Sequence, residues 1–176
     1  NHDAGTSYVS GKHIYTFGSA IETIEVETRN GERVAFSGFS YEVPVVATRK
    51  VQEYPMKSAN CDIHIGVLHG ELTTAQGRYA PFSIPELREK GYDYWALGHI
   101  HTCQEVSSQP CAWYSGTTQG ADRKESGPKG VLLVEITPWN APEVHFIETS
   151  TMDWTEVELS ISESARLETL PYLIVE

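Results

Sequence analysis

Alternation of apolar and polar positions predicts strands along most of this chain. Residues 12–17, 21–28 and 33–41 are rich in β-branched and aromatic side chains, which suit a pleated, half-buried surface. Asn30-Gly31 stands between the second and third of these runs, and this pair readily forms a hairpin turn because both residues tolerate a positive φ. Residues 43–51 fit either a strand or a short helix, and 53–60 read as a loop. Residues 62–68 alternate weakly and end in His69-Gly70, as expected of a buried strand delivering His69 at its tip. Ser83-Ile84-Pro85-Glu86 matches a capping box, with Gly91 placed to end the helix. Another buried strand is predicted over 94–97, so strand, helix and strand follow one another as in α/β layering. Further short strands are predicted at 103–106, 112–114, 130–136 and 143–148, the last two joined through Pro138 and Pro142. Val157, Leu159 and Ile161 alternate with Glu156, Glu158 and Ser160, which predicts a half-exposed strand. Leu167, Leu170 and Ile174 have helical spacing that Pro171 interrupts.

Composition narrows the class. A chain of 176 residues is long enough for a domain with a sizeable core, and 40% hydrophobic content argues against disorder. Thirteen Lys and Arg against 24 Asp and Glu give a net charge of −11, which works against a broad nucleic-acid surface, since phosphate contacts come from Lys and Arg. No apolar run approaches the roughly 18 residues of a membrane span, so no membrane partner is expected. The three cysteines, Cys61, Cys103 and Cys111, form no Cys-x-x-Cys pair, and an odd number fits a reducing compartment, the cytoplasm. A Cys103–Cys111 disulfide competes with plain packing, and packing is favoured.

The candidate chemistry lies in the histidines. Gly98-His99-Ile100-His101 follows the strand at 94–97. In an extended chain, residues two apart face the same side, with Cα atoms roughly 6–7 Å apart. That spacing suits two imidazoles serving adjacent metal ions about 3.5–4 Å apart. Gly98 removes side-chain bulk where other groups must approach. His64 lies an odd number of residues from His69, so on a strand it faces the other way and reads as structural, as do His13 and His145. At the start of the chain, Asn1 can offer an amide oxygen to a metal, His2 an acid or a donor to a developing oxyanion, and Asp3 a carboxylate that orients His2. A turn or helix cap would use the same residues. Arg123, Lys124 and Lys129 in the polar loop 115–129 suit phosphate contact and a solvated loop equally well.

Asn1-His2-Asp3, then Gly66-Val67-Leu68-His69-Gly70, then Gly98-His99-Ile100-His101, in this order, resembles the calcineurin-like metallophosphoesterases. Tyr79-Ala80-Pro81-Phe82-Ser83, Gly91-Tyr92-Asp93-Tyr94-Trp95-Ala96-Leu97, Tyr114-Ser115-Gly116, Gln119-Gly120 and Glu125-x-Gly127-x-Lys129-Gly130 are similar to the bacterial DNA-repair exonuclease branch, SbcD-type and YhaO-like. Ala121-Asp122 departs from that pattern, where a basic residue is expected.

The resemblance implies an α/β fold of two packed β-sheets flanked by helices. Residues 1–150 would form the C-terminal part of the phosphoesterase domain, and 151–176 a closing strand and the start of a capping region. It implies that Asp-x-His and Gly-Asp motifs lie upstream, so that the chain is the back half of an enzyme. By the family's pattern, Asn1, His69 and His99 bind one divalent ion and His101 the second, with Mn first and Zn, Fe or Mg as substitutes. His2 and Asp3 would be catalytic. The implied activity is two-metal phosphodiester hydrolysis, foremost a 3′–5′ DNA exonuclease in repair. The implied partners are DNA, the upstream segment, and an SbcC-like ATPase or a second copy of the chain. A phosphoesterase for small nucleotides or other esters, or a non-catalytic interaction module of the same fold, are the alternatives.

Overall fold

The computed structural model describes residues 11, 14–156 and 158. The Asn30-Gly31 turn sets the first hairpin. Gly31 has φ +89°, and Thr28 N–H donates to Glu32 O at 2.9 Å, closing the link between β1 (Glu22–Glu27) and β2 (Arg33–Gly38). The strand expected at 12–17 does not form over its described part: from residue 14 to 18 the backbone joins no ladder. Phe17 instead lies over Gly38, where a Cβ would sit 2.7 Å from its ring. Residues 43–51 resolve into a single bridge, Val46 to Tyr79, followed by a one-turn 3-10 helix, Lys50–Glu53.

The main sheet has six strands in the order β1-β2-β3-β4-β6-β5, with β3 at Ile63–His69, β4 at Tyr94–Gly98, β5 at Gln104–Ser108 and β6 at Cys111–Tyr114. β2, β3, β4 and β6 run parallel, and β1 and β5 flank them as antiparallel edges. Parallel neighbours need a crossover, and between β3 and β4 this includes α1 (Ile84–Lys90). Its start follows the sequence reading: Ser83 N–H donates to Glu86 Oε2 at 2.8 Å, completing the capping box. Its end does too, with Gly91 at φ +73° and its N–H on Arg88 O.

The core sits between this helix, the 3-10 turn and one face of the sheet. Leu87, Val51, Tyr54, Phe82, Leu68, Trp95 and Tyr114 are buried there. Trp95 fits because its strand neighbour is Gly66: a Cβ on Gly66 would lie 2.3 Å from the indole. On the opposite face, β7 (Gly130–Glu135) and β8 (Glu143–Glu148) pair as a second, two-stranded antiparallel sheet. Leu132 and Val134 of β7 face Tyr94, Ala96 and Trp113 across a cavity of about 270 Å³. The fold is therefore α/β with two facing sheets, and α1 is the one α-helix among the described residues.

All three cysteines are free, so packing, not a Cys103–Cys111 bridge, is what the fold uses. The strand expected from Val157 to Ile161 falls almost wholly outside the described residues, as does the segment carrying Leu167, Leu170 and Ile174. Among the described residues no helix is long and apolar enough to cross a membrane.

Candidate metal centre

β3 and β4 stop together, with His69 and Gly98 as their last register pair and Gly70 N–H donating to Gly98 O at 3.0 Å. The carboxyl ends of parallel strands are where open α/β sheets hold ligands, because the chain leaves the sheet there and side chains can converge. The His69 and His99 rings lie with centroids 5.5 Å apart at 74°. A ligating imidazole places its ring centre roughly 3 Å from the ion, so two rings at this separation can share one. Gly98 is what permits the approach: a Cβ there would sit 3.0 Å from His69 Nδ1.

The backbone reaches this arrangement differently from the expectation. Alternation along a strand was to put His99 and His101 on one side. β4 ends at Gly98, and His99 turns out of it with φ +115°, a conformation that side chains with a Cβ rarely adopt. His99 therefore meets His69 through a bend. His101 lies beyond that bend, about half exposed, with its Nδ1 hydrogen-bonded to Glu125 Oε1. Among the described residues no group of three or more His, Cys, Asp or Glu is arranged to hold a metal ion. Asn1, His2 and Asp3 lie outside the described residues, as does His13.

Aromatic and acidic groups frame the histidine pair. Tyr41 donates its hydroxyl to His69 O at 2.8 Å and sets its ring edge-on to the His69 imidazole at 5.6 Å. Burial, reinforced by the Glu71 carboxylate, raises the Tyr41 phenol well above its ordinary value, so it stays a neutral donor. Tyr114 donates to Gly70 O at 2.7 Å, which anchors the turn after His69. The Tyr79 ring lies 4.9 Å from that of His99. Glu71 accepts the backbone N–H groups of Arg78 and Tyr79 and so closes the 71–80 loop beside the site. The Tyr79 N–H is the main cause holding the Glu71 carboxyl below its usual range, and the nearby His99 adds to it.

The remaining charged candidates separate. Lys129 is buried, with Nζ donating to His101 O at 3.3 Å, so it braces the backbone at His101 and is not a surface cation. His64 is buried at the other end of β3, and His145 is exposed on β8, 3.9 Å from Glu143. Sequence reasoning did not single out Tyr41, Glu71, Tyr79 or Glu125. Tyr79 and Glu125 lay inside motifs that carried the family resemblance, and Glu71 directly follows His69-Gly70. Tyr41 gave no signal, because its role depends on the register of two neighbouring strands.

No protein-family model matches the chain. It is 32% identical over 163 residues to an uncharacterized metallophosphoesterase of Bacillus subtilis (strain 168), YhaO. The aligned stretch covers 90% of this chain and 40% of that protein, so the chain spans about 40% of the length of the relative it matches. The similarity is thus a likeness to part of a metallophosphoesterase.

Proposed function

We propose that this chain carries part of the metal centre of a phosphoester hydrolase, and that the intact enzyme is a 3′–5′ DNA exonuclease acting in repair. The observation that supports the hydrolase reading best is the His69–His99 pair at the carboxyl ends of β3 and β4, with ring centres 5.5 Å apart. In this reading Asn1, His69 and His99 hold one ion and His101 the second. Upstream Asp-x-His and Gly-Asp motifs supply the remaining ligands. Bound divalent ions activate water and offset phosphate charge; Mn is the first choice. The chain's own residues orient and protonate. Tyr41 and Tyr79 wall the histidine pair, His2 donates a proton to the leaving oxygen, and Asp3 orients His2.

A small phosphoester is the second reading. The net charge of −11, and a Lys129 that is buried beneath His101, favour a substrate with few phosphates to neutralise.

The roles separate in variants of the intact enzyme, with metal content and turnover measured side by side on DNA and on bis(p-nitrophenyl) phosphate. His99→Ala is expected to lower both metal content and rate. His2→Ala is expected to lower the rate about 10²–10⁴-fold with both metals retained. Loss of a metal in His2→Ala but not in His99→Ala would reverse the assignment. Manganese-dependent activity in the 176-residue chain, free of other polypeptides, would show that the upstream ligands are not needed.

A further inference from the structure

The Glu125-x-Gly127-x-Lys129-Gly130 segment has no place in the ligand set above, yet the structure folds its loop around His101. Three contacts reach that residue from the loop between β6 and β7. Glu125 Oε1 meets the imidazole at Nδ1. Lys129 Nζ donates to the His101 carbonyl oxygen at 3.3 Å. Gly116, at φ +75°, presses on the same backbone, where a Cβ would lie 2.8 Å from Cys103 N and 3.1 Å from His101 O. The carboxylate is itself fixed. Its second oxygen accepts the Ala121 N–H at 2.8 Å, and Glu125 N–H donates to Asp122 O at 3.0 Å. Gly120 lets this small loop close, since a Cβ there would stand 2.8 Å from Glu125 O.

A carboxylate can only accept at Nδ1, so a neutral His101 held this way carries its proton on Nδ1 and keeps the Nε2 lone pair outward. We infer that Glu125 is a positioning residue that presets the tautomer and orientation of His101, leaving Nε2 to take a divalent metal ion. The inference rests on the metal-centre reading and assigns the loop a task other than substrate contact. It also accounts for Ala121 standing where a basic residue was expected: Ala121 offers its backbone N–H to the carboxylate, and its side chain is not called on.

The tautomer can be read without activity. Long-range proton–nitrogen spectra of the metal-free full chain, above neutral pH, should show His101 protonated on Nδ1. Glu125→Ala should return it to the Nε2-protonated form that free histidine prefers, and Glu125→Asp should keep the Nδ1 form. Glu125→Gln serves as a second variant should the alanine form fail to fold, since its carbonyl can still take the Ala121 N–H. Calorimetric titration of the metal-free intact enzyme with Zn²⁺ alone should then find affinity about 10–100-fold weaker in Glu125→Ala and Glu125→Gln. An Nε2-protonated His101 in the parent chain, an unaltered tautomer in Glu125→Ala or Glu125→Gln, or an altered tautomer in these two with Zn²⁺ affinity unchanged, each overturns the inference and leaves the metal reading standing. Equal Zn²⁺ binding by the parent and by a variant with His69, His99 and His101 all replaced by Ala overturns the metal reading and this inference with it.

Discussion

β3 carries a histidine near each end, and the two have opposite fates. His64 is 2% exposed, stacked 3.7 Å from the Tyr92 ring at 17°, with Nε2 at 2.8 Å from Ser37 Oγ. Its Nδ1 has no hydrogen-bond partner among the described residues. His69 stands at the strand's last position, with its ring facing that of His99. The same side chain stacks on a tyrosine ring in one place and stands beside a second imidazole in the other. Position along the strand decides which. At the amino half, helix and aromatic residues cover the sheet. At the carboxyl end, tyrosine hydroxyls occupy the backbone carbonyls of His69 and Gly70 and leave the ring to face its neighbour. Two glycines mirror the contrast: Gly66 makes room for a core indole, and Gly98 makes room for the His69 ring.

The largest effect that would sharpen this comparison is Gly66→Ala. Its methyl would lie 2.3 Å from the fully buried Trp95 ring, and both sit within paired strands. A loss of about 3 kcal/mol or more in urea unfolding is expected, at the upper end of overpacking costs. A loss below about 1 kcal/mol would mean that the amino half of the sheet yields as easily as the site end.

His64 comes next. Burial lowers its pKa from 6.5 to about 4 in the folded chain. Below the unfolded value the unfolded chain takes up a proton that the folded chain refuses, so stability is full above that value. It falls as the pH drops from about 6.5 towards about 4, by roughly 3 kcal/mol, and this contribution levels off below. Unfolding midpoints across that range, compared with those of His64→Gln, isolate it; parallel curves for the two proteins would remove the distinction drawn between His64 and His69.

Gly98→Ala should have the smallest effect on stability, within about 0.5 kcal/mol, because the His69 ring can give by a few tenths of an ångström. Zn²⁺ affinity should fall all the same, since the two rings must separate. A large stability loss with metal affinity unchanged would make Gly98 a core residue like Gly66.

Local chemistry made much of this legible in the sequence. Asn30-Gly31, Ser83 with Glu86, and Gly91 each act within a few residues, and each sits where that chemistry placed it. His69 at a strand tip followed from a weakly alternating run and where it stopped. The approach of His99 did not follow from alternation, because its backbone leaves the strand at a positive φ that no residue pattern announces. Residues 14–17, the described part of the strand expected at 12–17, have strand-like composition but join no ladder among the described residues, and pairing is a tertiary fact. Glu125 is 24 residues from His101, so only folding brings them together. Lys129 reads as a loop cation until its burial is known.

The mixed direction of the strands bears on the order in which the molecule can be assembled. β1 with β2, β5 with β6 and β7 with β8 are antiparallel neighbours in sequence, and closing them costs little chain entropy. β3 and β4 are parallel, and 24 residues, from Gly70 to Asp93, must be ordered before they can pair. His69 and His99 belong to that expensive pairing and Glu125 to a loop beyond it, so a chain with all its hairpins formed still has no site. In the proposed metal reading, Zn²⁺ uptake follows completion of the parallel core, and a refolding experiment would register it together with β3–β4 pairing, after the hairpins have formed.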